Sequence, residues 1–236
     1  MHKSIELPIL YFGTPVVLIS TTNDDGSTNI APSSSIWWLA QSCMVGLDGS
    51  SKTTENLKKR KECVLNLASA ENVSQVDGIA NTTGMKSVPL HKRRLGYRYL
   101  KDKAGEVQFN LQESEAVKAN RIKECKVQLE ATVEKIHRFS EQSILPVYAF
   151  ELNVVRTHVC ESLLMGENHQ YVDPDKWHPL IMNFRKFYTT NDYIHPSKLS
   201  EASAEKYHVR NMTGLKAKTM KLLFGVIYRN HRRLDN

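Results

Sequence analysis

The 236-residue chain has few of the features that announce a function. No apolar run approaches the roughly 20 residues that a membrane-crossing helix needs. The opening "MHKSIELPIL" lacks the apolar core of a secretion signal, so a cytoplasmic setting is expected. There are four cysteines, Cys43, Cys63, Cys125 and Cys160, and no pair has C-x-x-C spacing. That argues against a zinc site or a dithiol redox motif, and three of the four lie in strand-like apolar surroundings that suit buried reduced thiols. The nine histidines show no metal-ligand spacing. There is no G-x-G-x-x-G, Walker-type lysine loop or H-E-x-x-H. No G-x-S-x-G surrounds any serine, which excludes a nucleophile elbow. Internal repeats and low-complexity tracts are also missing. A self-contained catalytic constellation is therefore not visible.

The composition is that of a globular domain: 41% hydrophobic and 24% charged residues can bury a sizeable core. The formal net charge of +7 permits a phosphate-bearing partner without identifying one. Basic residues gather in "KKRK" at 58–61 and between 206 and 233, with no long stripe of interleaved aromatics, so nucleic acid is not expected as a partner. A solvated helix face is the expectation for "KKRK".

Strand signals dominate the chain. "PVVLISTT" is β-branched and apolar and runs into the turn "NDDG"; "STNIAPSSSIWWLA" then reads as a return strand broken at Pro32. "CMVGLD" and "CVLNLAS" are short strands on either side of "SKTTENLKKRKE", a helix with hydroxyl residues at its start and Glu55 in its first turn. "ENVSQVDGIA" spaces Val73, Val76 and Ile79 as a helix does. Strict alternation in "CKVQLEATVEKI" marks a half-buried antiparallel strand, with "PVYAFELNVVRTHV" as its neighbour. The stripe Trp177, Leu180, Ile181, Phe184 and Phe187 or Tyr188 has helical spacing and reads as core or subunit interface. No regular βαβ alternation appears. The expected fold class is mainly β with inserted helices (α+β), an antiparallel barrel rather than a doubly wound sheet.

Two hydroxyl-rich loops stand just after strands. In "NIAPSSS", Ser33–Ser35 precede Trp37 and Trp38, which fits either a turn into a core strand or a ligand wall. In "GSSKTTEN", Ser50, Ser51, Thr53 and Thr54 surround Lys52 and open a helix. Helix starts carry unpaired N–H groups and partial positive charge, which suits a phosphate. Ser/Thr-rich helix starts are equally common as plain caps. The polar, basic, non-periodic segment 82–103 is longer than an idle connector.

Taken together, "TPVVLISTTNDDGSTNIAPSSSIWWLA", "DGSSKTTENLKKRKECVLNL", "TTGMKSVPLHKRRLGYRY", "IKECKVQLEATV" and "DPDKWHPLI" resemble, in order and spacing, the flavin reductase-like, FMN-binding split-barrel family that includes flavoredoxins. The resemblance runs from about residue 8 to 190. It implies a Greek-key antiparallel split β-barrel of the FMN-binding type over 1–195; residues 196–236 lie outside the resemblance and read from their own pattern as a basic, helical C-terminal extension. It also implies a homodimer with FMN near the interface. Asn29, Ala31, Pro32, Ser33, Ser34 and Ser35 would then line the flavin, while Ser51, Lys52, Thr53, Thr54 and Asn56 would hold its ribityl chain and phosphate. Thr83, His91, Lys92, Arg93 and Tyr97 would close over the cofactor. The implied function is hydride or electron transfer through bound flavin, as an oxidoreductase, with a non-enzymatic flavin carrier or electron shuttle serving a protein partner as the alternative. Many NAD(P)H-using members carry Gly-Asp-His at the start of a late strand. Here "VVRTHVCES" has His158 without the Gly-Asp, so the electron donor, NAD(P)H or a redox protein, stays open.

Overall fold

Seven strands build one antiparallel sheet: β1 (Val17–Thr22), β2 (Thr28–Ser33), β3 (Ile36–Leu39), β4 (Ser42–Asp48), β5 (Glu62–Leu67), β6 (Val127–Phe139) and β7 (Val147–Val159). They are seen in a computed structural model that describes residues 1–7, 9–141, 143–166 and 168–198. Their order across the sheet is β2-β1-β5-β6-β7-β4-β3. The two edge strands are thus neighbours in sequence, separated only by Ser34 and Ser35. Laid flat, the sheet would hold its edges about 29 Å apart at ~4.8 Å per strand. The chain from Ser33 to Ile36 reaches no more than about 11 Å. The sheet must therefore curl to bring its edges together, and the Gly46 N–H of β4, donating to Ser35 O at 2.8 Å, extends the β3–β4 pairing into the two-residue link. The result is an antiparallel barrel split along one side.

The break expected at Pro32 falls two residues later. Pro32 lies within β2, paired with Leu18, and the strand ends at Ser33. Proline lacks an N–H, and an edge strand is where a missing ladder donor costs least.

Both faces of β1 are covered, which is why its apolar run does not alternate. Val17 and Ile19 face the barrel interior with Val45, Leu65, Phe150 and Leu152. Leu18 faces outward, packing with Ile30, Val76, Ile79, Ile122 and Leu180 under helix α2 (Val73–Ala80). Helix α1 (Lys52–Arg60) drives Leu57 into the barrel core and ends at Lys61, in the left-handed conformation at φ 60°. Its basic last turn is exposed except for the half-buried Arg60, and suits the negative helix end. Lys59 and Arg60 pair with Asp24 at 2.6 and 3.2 Å, and Lys58 Nζ lies 3.3 Å from the centre of the Tyr148 ring.

Two sequence expectations are corrected here. The first half of the polar side of β6 is not solvated: Gln128 is buried and Glu130 fully so, because residues 113–122 fold over that face, while Glu134 farther along is exposed. The Glu130 carboxylate accepts the N–H groups of Glu115 (2.9 Å), Ala116 (2.6 Å) and Val117 (3.2 Å). The stripe from Trp177 to Tyr188 is no helix. Ile181–Asn183 and Lys186–Tyr188 form a hairpin that pairs with Phe12–Pro15. Phe184 and Arg185 turn it at φ 45° and 71°, a conformation that no helix contains.

By contacts the chain divides into Met1–Ile194 and His195–Asn236. The expected basic C-terminal helix lies outside the described residues.

Candidate functional site

A cavity of about 490 Å³ opens where the barrel seam, the start of α1 and the 82–103 segment meet. Its anion-seeking end is built by α1. Ser51 caps the helix, its Oγ accepting the Thr54 N–H at 3.1 Å, and Ser51 O accepts the Glu55 N–H at 3.1 Å. The Lys52 and Thr53 amides, at the very start of the helix, have no carbonyl within it to bond. Thr53 Oγ1 accepts from Asn29 Nδ2 at 3.0 Å, which leaves its proton to point elsewhere. Lys52 and Thr53 both line the cavity, and the Lys52 ammonium is paired with Glu55.

The lining also carries an apolar set: Ala31, Pro32, Leu47, Phe139 and Val147. Ser33, Ser34 and Ser35 line it as well, the last bonded to Tyr11 Oη at 3.0 Å. Glycine is required at one place and closely fitted at another. A Cβ on Gly84 would come within 2.6 Å of Asn29 Oδ1 and 3.0 Å of Lys52 Cγ, and one on Gly46 within 3.2 Å of Ser35 Cβ.

The 82–103 segment supplies the remaining side through Thr82, Thr83, Gly84, Lys92, Tyr97 and Lys103. Helix α3 (Leu90–Arg94) places Lys92 Nζ 3.2 Å from Asp48 Oδ2, and His91 Nε2 is 3.3 Å from the same oxygen. Burial pushes the Asp48 carboxyl up, but hydrogen bonds from Ser50 and the Lys92 charge outweigh it and hold the group below its ordinary range. Burial raises the Tyr97 phenol, so it stays a protonated donor. Helix α4 (Lys103–Glu106) starts on Lys103, whose Nζ donates to Ile30 O at 2.7 Å. Burial, then the nearby Lys92 charge, push this ammonium down to about 8.

Of the residues expected from sequence, Asn29, Ala31, Pro32, Ser33–Ser35, Ser51, Lys52, Thr53, Thr83, Lys92 and Tyr97 line this one cavity. Thr54 and Asn56 do not. Both are buried behind it: Thr54 Oγ1 donates to Asp48 O at 2.8 Å, and Asn56 Nδ2 to Thr21 Oγ1 and Asn23 Oδ1, each at 3.0 Å. They brace the loop. His91 sits beside the rim on Asp48, and Arg93 is exposed on the far side of its turn. His158 is elsewhere altogether, 2.7 Å from Glu130. Sequence reading missed Tyr11, Asp48, Gly84, Phe139 and Lys103. Asp48 and Gly84 carried a signal in the turns "LDGSS" and "TTGM". Lys103, within "LKDKAGE", looked like one more solvated charge.

Among proteins of known sequence, a chain from Bacillus subtilis (strain 168), the uncharacterized protein YdfE, is 38% identical over 191 residues, covering 79% of this chain and 88% of its own. Flavoredoxin of Desulfovibrio vulgaris (Miyazaki F) superposes with a TM-score of 0.68 at 20% identity, covering 87% of this chain and 100% of its own. The FMN-binding protein from Thermus thermophilus, solved with bound 1-cyclohex-2-enone, gives 0.61 at 14% identity over 83% and 98%. These two share the fold. Residues 9–191 match the family described as the flavin reductase like domain. With that match spanning most of its length, the chain belongs to the flavin reductase-like family.

Proposed function

We propose that the cavity binds FMN and that the protein is an oxidoreductase working through it. The carrying observation is the mixed chemistry of one cavity lining. The start of α1 brings unbonded amides, the Thr53 hydroxyl and Lys52 to it, and Pro32, Leu47, Phe139 and Val147 give it apolar surface. A dianionic phosphate suits the first and a flat, largely apolar ring the second. The volume lies within the range of cofactor sites.

In this reading Lys52, Thr53 and the two amides hold the phosphate. Asn29 orients Thr53, and Thr21 Oγ1, itself held by Asn56, accepts from Asn29 in turn. Ser33–Ser35 offer hydroxyl and backbone groups along the ribityl chain and ring edge. Bound flavin would supply the hydride and electron chemistry, which is why the cavity needs no acid–base dyad of its own. The protein's part is to orient the ring, exclude water and fix the charges around it.

A second copy of the chain is part of the proposal. Strand alternation turns Ile36 and Trp38 toward the core and leaves Trp37 and Leu39 exposed at 56% and 72%. Phe139, at the cavity, is 58% exposed as well. Apolar groups so placed favour closure of the site by a partner subunit.

Purified protein should bind FMN and turn yellow; a protein that takes up no added FMN refutes the reading. Anaerobic mixing with NADH or NADPH then identifies the donor class. Bleaching at turnover rates marks a nicotinamide-dependent reductase, and a flavin that stays oxidised with both shifts the donor to a protein partner.

A further inference from the structure

The charges buried around the cavity do not balance. Three lysines line it. Lys52 is paired with Glu55 at 2.5 Å and Lys92 with Asp48 at 3.2 Å. Lys103 is only 2% exposed, and its one hydrogen bond goes to the backbone carbonyl of Ile30. No carboxylate among the described residues pairs with it. The acids beside it in sequence are engaged elsewhere: Asp102 Oδ1 accepts the Gly105 N–H at 2.8 Å, and Glu106 pairs with Arg98 at 2.5 Å.

A buried ammonium answered by one carbonyl dipole is a costly arrangement. Methionine or leucine would fill the same space without the desolvation. The cost becomes intelligible if the missing negative charge arrives with a ligand. A phosphate is already provided for at the start of α1. The flavin ring itself is neutral when oxidised. When a two-electron donor passes it a hydride, a C–H or N–H bond forms at the expense of the donor's C–H bond. The donor leaves oxidised, and the ring keeps one negative charge.

Resting on the FMN reading above, we propose that Lys103 is the fixed cation that stabilises the reduced ring and raises the reduction potential of the bound flavin. Lys92 is a weaker candidate because Asp48 already neutralises it. Pinned between α4 and β2, Lys103 acts without moving, so its charge is in place before the electrons arrive.

The test is the midpoint potential of FMN-loaded protein, equilibrated anaerobically against a reference dye at neutral pH. Lys103→Gln keeps a donor for Ile30 O and removes the charge. Lys103→Met removes both, and Lys103→Arg keeps the charge. Gln and Met are expected to bind reduced flavin ten- to a hundredfold less well relative to oxidised. This corresponds to a fall of about 30–60 mV for a two-electron couple, with Arg close to wild type. An unchanged potential in the Gln and Met variants overturns the proposal. So does a selective loss of oxidised FMN over riboflavin at constant potential, which would put Lys103 on the phosphate. A urea midpoint of Lys103→Gln apoprotein far below wild type would make the lysine structural and overturn it too. Failure of the wild-type protein to bind any flavin refutes the function reading instead, and is seen before the variants are made.

Discussion

Thr53→Val separates a phosphate cradle from a mere helix cap. Thr53 is 2% exposed, and its Oγ1 sits between Asn29 Nδ2, at 3.0 Å, and the cavity. Valine keeps the β-branched shape and deletes the hydroxyl, and Asn29 Nδ2 retains Thr21 Oγ1 at 3.3 Å. Two losses follow. The Asn29 bond costs stability with or without ligand, about 1–3 kcal/mol in urea unfolding of the apoprotein. The bond to the phosphate is lost only when a phosphate is present. Hydrogen bonds to charged groups contribute about 1.5–3 kcal/mol, so FMN binding should weaken roughly 10- to 150-fold. Riboflavin, which has the same ring and ribityl chain without the phosphate, should hardly move. The assay is quenching of flavin fluorescence for both ligands on both proteins, and the ratio cancels any general loosening. Lys52→Met should likewise cost FMN more than riboflavin. That difference should shrink as salt is added, because the lysine is partly solvated. Equal weakening of the two flavins by Thr53→Val, or none of either, refutes the phosphate assignment.

Two other outcomes are expected. Glu130→Gln removes the charge and turns an amide donor either toward the N–H groups of Ala116 and Val117 or toward Glu115 N–H and His158, and should cost about 3–5 kcal/mol of stability by urea unfolding; a loss under ~1 kcal/mol contradicts the role. Burial pushes the Glu130 carboxyl up, but the Glu115 and Ala116 amides and His158 outweigh it and hold it below the ordinary value of 4.5. Its contribution is therefore full above that value and lost as pH falls through the folded one, and acid unfolding of Glu130→Gln should lack this component. Leu39→Asp, on the outer face of β3, should convert a two-copy assembly to single chains in sedimentation; a wild-type protein already monomeric at high concentration removes the basis for a shared site.

The strands and the two loops were legible because their signals are local. Val17–Ile19 and Val127–Val133 declare themselves by β-branching and alternation. Ser51 to Glu55 declare a helix start by residue type alone. The misreadings came where tertiary contact overrides local pattern. Leu180, Ile181 and Phe184 happen to fall at helical intervals, yet pairing with Phe12–Pro15 makes them a hairpin. Glu130 alternates like a surface residue, yet a loop distant in sequence brings three amides to it.

The residues of the sequence by themselves determined an antiparallel β domain and two hydroxyl-rich turns that favour an anion, since propensity and capping act over a few neighbouring positions. Only the tertiary structure decided that the turns face one cavity, because that depends on a sheet whose edge strands, β2 and β3, are joined by two residues and so must curl together. It also decided the state of the charges. Lys59 and Lys103 are equally hydrophilic in sequence. One meets Asp24 in solvent and the other is sealed against Ile30 with no counter-charge among the described residues, and burial is a property of the whole fold.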